Sequence, residues 1–191
     1  LNKLKNLRKK IADIKSIPPY VIFQDPSLVE MSIRYPVKFE ELSSIFGVGE
    51  GKSKKYGKEF LELISEYVEQ NNITRPDDLV VKSAGKNSSL KLFIIQSIDR
   101  KLSIEDIAQS KSMDLSKLIS EMETIIYSGT KLDISYCIDD YLDEDQQGEL
   151  YDYFIESESD NIEMALEEFD SEYDEFELKL FRIKFLSDLA N

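Results

Sequence analysis

An all-α chain of two modules is predicted by three features of the sequence. Apolar residues recur at steps of three and four in both halves, proline and glycine punctuate those runs, and the charge changes sign between the halves. The 191 residues are enough for one or two domains with real cores. There is no His, no Trp and a single Cys, Cys137. Imidazole acid–base chemistry, disulfide frameworks and Cys/His zinc sites are therefore excluded. The net charge of −14 is uneven: residues 1–90 carry 15 basic and 12 acidic side chains, residues 91–191 carry 9 and 26. Between Leu132 and Leu178 there are 19 acidic residues and no Lys or Arg, which reads as a solvated face that repels phosphate. The helical pattern lapses from Asn71 to Ser88, so the expected organisation is a first domain over 1–72, a linker over 73–88 and an acidic helical domain over 89–191.

Leu1, Leu4, Leu7, Ile11 and Ile14 define the apolar face of a first helix whose outside carries Lys3, Lys5, Arg8, Lys9 and Lys10. Pro18 and Pro19 stop it. Asp25-Pro26 reads as an N-cap followed by proline in the first helical position, opening a helix that buries Leu28 and Met31 and ends at Tyr35-Pro36. A short helix with Phe39, Leu42 and Ile45 follows.

The stretch from Ile45 to Tyr56 then brings a glycine-rich turn to the start of a helix with Tyr56, Phe60, Leu63, Ile64 and Tyr67 on its apolar side. Lys52, Lys54, Lys55 and Lys58 crowd the first turns, where the free N–H groups and the macrodipole favour negative charge. Gly47, Gly49 and Gly51 would let those amides converge on a phosphate. Gly51-Lys52-Ser53 is not a nucleotide-binding loop, because position 46 is Phe and the preceding residues are helix-like. Ile45, Gly47, Val48 and Gly49 fit instead a helix-hairpin-helix pattern, in which backbone amides grip a DNA phosphate.

The segments LRKKIAD, PPYVIF, DPSLVEM, PVKFEEL, GVGEGK and YGKEFLELI, in this order, resemble the HRDC domain found at the tail of RecQ-family DNA helicases. The resemblance implies a bundle of about five helices that binds single-stranded or forked DNA weakly and helps a helicase motor choose substrates. It also implies that Tyr20 belongs to the binding surface, where an exposed aromatic would stack on a base; core packing is the equal alternative for that ring.

In the second half, Leu90, Phe93, Ile94 and Ile98 mark one helix, and Ser103 with Asp106 forms a capping-box pattern for the next. Asp114 caps a third helix bearing Leu115, Leu118, Ile119, Met122, Ile125 and Ile126, ended by Gly129. This helix-turn-helix resembles the one that follows HRDC in many bacterial RecQ-like helicases, and the resemblance extends loosely to a last helix with Phe176, Leu180, Phe181, Ile183 and Leu186. A recognition helix here would offer Ser116, Lys117, Ser120, Glu121, Glu123 and Thr124, one cation against two anions, so sequence-specific groove reading is not expected. The Asp139–Asp145 carboxylates lack the register of a calcium loop, and Cys137 sits in an apolar stretch as a core residue.

The expectation from sequence is a non-catalytic accessory region of a RecQ-like helicase. DNA is its partner through Tyr20, Gly47, Gly49, Gly51, Lys52, Lys54, Lys55 and Lys58. It needs no cofactor; ATP and magnesium belong to an upstream motor. The acidic domain offers a surface for protein partners, and the rival reading is a protein tether with little DNA affinity. No segment approaches the ~18 apolar residues of a membrane span, so a soluble protein of the bacterial cytoplasm, associated with the nucleoid, is expected.

Overall fold

The computed structural model describes residues 1–75, 88–170 and 172–190; most of the segment read above as a linker lies outside them. The described residues form eleven α-helices and one 3-10 turn. They fall into two compact units. The first contains residues 1–75 together with Tyr127–Gly129, and the second contains the remaining helices.

In the first unit, α1 spans Asn2–Lys15, α2 Pro19–Ile22, α3 Asp25–Arg34, α4 Phe39–Ser43 and α5 Gly49–Gln70. α1 buries Leu4, Ile11 and Ala12 and ends at Ser16, whose left-handed conformation (φ 52°) lets its N–H reach back to the last turn. Pro18 and Pro19 end one helix and start the next: Pro19 opens α2, where a missing N–H costs nothing. The short α2 buries Tyr20, Val21 and Ile22. Phe23 packs edge-on against both Tyr56 and Phe60 in a core that also takes Leu28, Met31, Leu42, Ile45 and Ile64. Asp25 is the first residue of α3 rather than its cap. Its carboxylate instead accepts from Lys5 (2.6 Å) and Arg8 (2.7 Å), which ties α3 to α1 and holds its pKa below the ordinary value, chiefly through the Lys5 hydrogen bond.

Two contacts fix α4 and the chain beyond α5. Gly57 faces Leu42 so closely that a Cβ there would lie 2.6 Å from the leucine Cδ2. Arg75 donates to the Glu41 carboxylate at 2.7 Å and to the Tyr35 carbonyl at 3.3 Å. Glu41 also accepts from the Val37 N–H at 2.9 Å.

The second unit opens with α6 (Ser88–Asp99), α7 (Ile104–Ser110) and α8 (Leu115–Tyr127). Ser103 caps α7 by accepting from Asp106 N–H, and Asp114 caps α8 by accepting from Lys117 N–H. Gly129 (φ 86°) follows α8. After the 3-10 turn Ile138–Asp140 come α9 (Glu144–Glu156), α10 (Ile162–Glu168) and α11 (Glu175–Ala190). Asp143 and Gln146 form a complete capping box on α9. α11 is the central element: Leu178, Phe181, Phe185 and Leu186 are buried, and Phe154 of α9 lies nearly parallel to Phe181 at 6.1 Å. Arg182 of α11 pairs with Glu123 of α8 and donates to the Asp160 carbonyl, while Ser187 exchanges two hydrogen bonds with the backbone of Leu132.

Candidate nucleic-acid interface

The glycine hairpin forms as its sequence demands, with Gly47 (φ 74°) and Gly49 (φ 57°) in the left-handed region. Ser27 donates to the Phe46 carbonyl at 2.8 Å, and Glu30 accepts from the Phe46 N–H at 3.0 Å, so α3 clamps the turn from one side. On another side, within the same unit, lies the Ser128–Gly129 backbone. A Cβ on Gly49 would meet Ser128 Cβ at 2.5 Å, one on Gly51 would meet the Gly129 carbonyl carbon at 2.9 Å, and one on Gly129 would meet Lys52 Cγ at 2.8 Å. Close approach of two backbones thus accounts for the missing side chains at Gly49 and Gly51. Gly51 is nonetheless exposed, and Gly47 and Gly49 are partly exposed.

Two site residues are corrected by their burial. Lys52 is 1% exposed and Tyr20 4% exposed, so neither ammonium nor ring is presented to a DNA strand. Helix periodicity explains Lys52: it lies one helical turn before Tyr56, and two before Phe60, on the inward side of α5. Tyr20 is buried because the chain turns into α2 directly after Pro18, which packs the ring inward, the core-packing alternative given above for that residue.

Lys54, Lys55 and Lys58 are exposed, and the structure brings α1 to them. Lys15 and Lys55 both approach the Tyr56 ring, their Nζ atoms 5.7 and 5.3 Å from its centroid. Partial burial and the nearby Lys15 ammonium hold Lys55 below the ordinary lysine pKa. Lys54 meets Glu50 at 3.4 Å, both side chains well exposed, an arrangement too weak to compete with a phosphate. The basic residues of α1 divide by role: Lys5 and Arg8 hold Asp25, while Lys9, Lys10 and Lys15 are exposed. Lys15 was absent from the sequence-based set. Its partner surface on α5 is 40 residues away, and only the antiparallel packing of the two helices joins them.

On α8 the outward hydroxyls bend back onto their own helix, Ser120 to the Ser116 carbonyl and Thr124 to the Ser120 carbonyl, each at 3.0 Å. Glu123, expected on the outward face, points to Arg182. Lys117 is the one cation of the α8 face. Cys137 is buried, and its thiol is pushed up to about 11 by burial. Among the described residues no cluster of His, Cys, Asp or Glu suits a metal ion, and no helix is long and apolar enough to cross a membrane.

An all-helical module built round a glycine hairpin, followed by a capped helix-turn-helix, is the architecture that family comparison identifies. Residues 1–64 match the HRDC domain, and residues 88–138 match the RecQ-1-like helix-turn-helix domain. The chain is 49% identical over 65 residues to the ATP-dependent DNA helicase RecQ of Bacillus subtilis, covering 34% of this chain and 11% of that protein. It is 43% identical over 65 residues to the RecQ of Haemophilus influenzae, 34% of this chain and 10% of that protein. With the ATP-dependent DNA helicase Q-like 4B of Arabidopsis thaliana it shares 41% over 80 residues, 40% of this chain and 7% of that protein. The chain thus carries an HRDC domain and a RecQ-type helix-turn-helix domain, the composition of a C-terminal RecQ region, and spans about a tenth of the length of the curated relatives it matches.

Proposed function

We propose that this chain is the non-catalytic accessory region of an ATP-dependent DNA helicase of the RecQ type, acting in DNA repair and recombination in the bacterial cytoplasm. In this reading the HRDC module contacts single-stranded or forked DNA weakly and biases which substrates the motor engages. The observation that carries it is the convergence of Lys15 and Lys55 over Tyr56, flanked by exposed Lys54 and Lys58. Ammonium groups gathered in this way repel one another and are relieved by a polyanion. Phosphate contact here is carried by these lysine side chains, without sequence preference. ATP and magnesium would act in the motor.

A titration of fluorescent single-stranded, forked and duplex oligonucleotides at two salt concentrations tests the reading. Affinity for single-stranded DNA should fall as salt rises. Each of Lys54→Gln, Lys55→Gln and Lys58→Gln should weaken binding and flatten the logarithmic salt slope by about 0.7 per lost contact. Absence of binding at low salt would overturn it in favour of a protein tether. The tether reading draws on the acidic run between Leu132 and Leu178, 19 carboxylates without a cation, which suits a basic protein surface better than nucleic acid.

A further inference from the structure

The first unit holds a cleft of about 380 Å³, the size of a small-molecule site, at the opposite end of the α1–α5 seam from Tyr56. Lys3, Met31, Tyr35, Leu63, Ile64 and Tyr67 line it. The Tyr35 and Tyr67 rings lie 10° from parallel with centroids 6.1 Å apart, and the Lys3 ammonium lies 5.3 Å from the Tyr67 centroid. Tyr67 is 37% exposed, in contrast to the buried Tyr56. Buried Met31 and Ile64 supply an apolar floor, paired tyrosines a planar wall, and Lys3 a positive rim. A flat aromatic group joined to an anion satisfies all three, and a nucleotide is such a group.

The position of the cleft fits a strand that also meets the lysines. Lys3 and Lys15 stand twelve residues apart on α1, about 18 Å at 1.5 Å per residue, a distance that a few nucleotides of an extended single strand can span. Lys10, seven residues from Lys3 and so on the same side of α1, is exposed, which continues the positive edge of the cleft along the helix. α5 presents Glu59, Glu62 and Glu66 to solvent, so the phosphates follow α1.

From this geometry we infer that the Tyr35–Tyr67 cleft is a nucleobase pocket. An unpaired base of single-stranded DNA stacks on Tyr67 while the Lys3 ammonium moves from the ring to the neighbouring phosphate. The exchange is favourable because stacking of a base on an aromatic ring outweighs an exposed ammonium over the same ring. The inference rests on the DNA-contact reading above, and the test separates the two.

The full chain is titrated at low salt with labelled oligo-dT and with an abasic strand of the same length, which keeps the phosphates and lacks bases. Tyr67→Leu should weaken oligo-dT binding about tenfold and leave abasic binding unchanged, whereas Tyr67→Phe should bind as the parent does. Lys55→Gln should weaken both. In the unaltered protein, oligo-dT should shift the Tyr35 and Tyr67 ring resonances and the abasic strand should not, a readout that needs no variant to fold. Equal loss for both strands in Tyr67→Leu, no loss for either, or unshifted tyrosine rings would remove the pocket while leaving the lysine contacts standing. No binding of either strand would overturn both readings together.

Discussion

Replacing Arg75 by Met removes half of a nearly buried ion pair and isolates a purely structural contribution to the first unit. Arg75 and Glu41 have side chains only 10% and 12% exposed and meet at 2.7 Å. Without the guanidinium, Glu41 keeps the Val37 N–H and the weaker pull of the Lys38 charge but loses its hydrogen-bonded counter-charge. Leaving one member of such a pair uncompensated costs about 3 kcal/mol, the low end of the range because Glu41 can take up a proton. In a unit of this size that lowers the melting temperature by about 15 °C. The pH dependence has a definite sign. Burial pushes the Glu41 carboxyl up, but the Val37 N–H and Arg75 outweigh it and hold the pKa below the ordinary value. The stabilisation is therefore complete above the unfolded carboxyl pKa of about 4.3, and it is lost as pH falls through the lower folded value. In Arg75→Met the burial effect dominates, the folded pKa rises, and protonation relieves the variant on acidification. The gap between parent and variant should narrow from pH 7 to pH 4. Urea titrations followed by amide exchange in the α5 core would measure it. A cost below about 1 kcal/mol at pH 7, or a gap independent of pH, would refute the reasoning.

Three other outcomes are expected. Arg182→Met should cost the second unit about 3 kcal/mol, since it strands Glu123, while leaving the exchange protection of α5 unchanged. Gly57→Ala should destabilise the first unit by about 1–3 kcal/mol through overpacking on Leu42, and Leu42→Val should restore part of the loss in a double-mutant cycle. Cys137, buried with its thiol pushed up to about 11, should resist a disulfide-exchange reagent at pH 8 in the native protein and react promptly in urea.

Much of the fold is legible in the sequence because it is carried by local signals. The spacing of Leu4 and Ile11, the capping residues Ser103 and Asp114, and the terminating Gly129 each act within one helical turn, and each structural element follows. The site was less legible because exposure is a tertiary property. Lys52 and Lys54 are indistinguishable as letters, and only the rotation of α5 against its neighbours buries one and exposes the other. Gly49 and Gly51 carry a strong anion-binding signal, yet close backbone packing demands the same residue type. The pairs Lys15–Lys55 and Tyr35–Tyr67 each join residues more than 30 positions apart, beyond any periodic reading. Within the acidic run, Asp143 and Asp174 are helix caps, a use that the excess of charge had masked.

Those caps have an ionic consequence. The second unit folds with its carboxylates crowded together, so added electrolyte should firm it by damping mutual repulsion. The same electrolyte should loosen the grip of the first unit on a polyanion. One polypeptide therefore joins an acidic half that salt should firm to a first half whose proposed hold on DNA salt should weaken, so no single ionic strength suits both best.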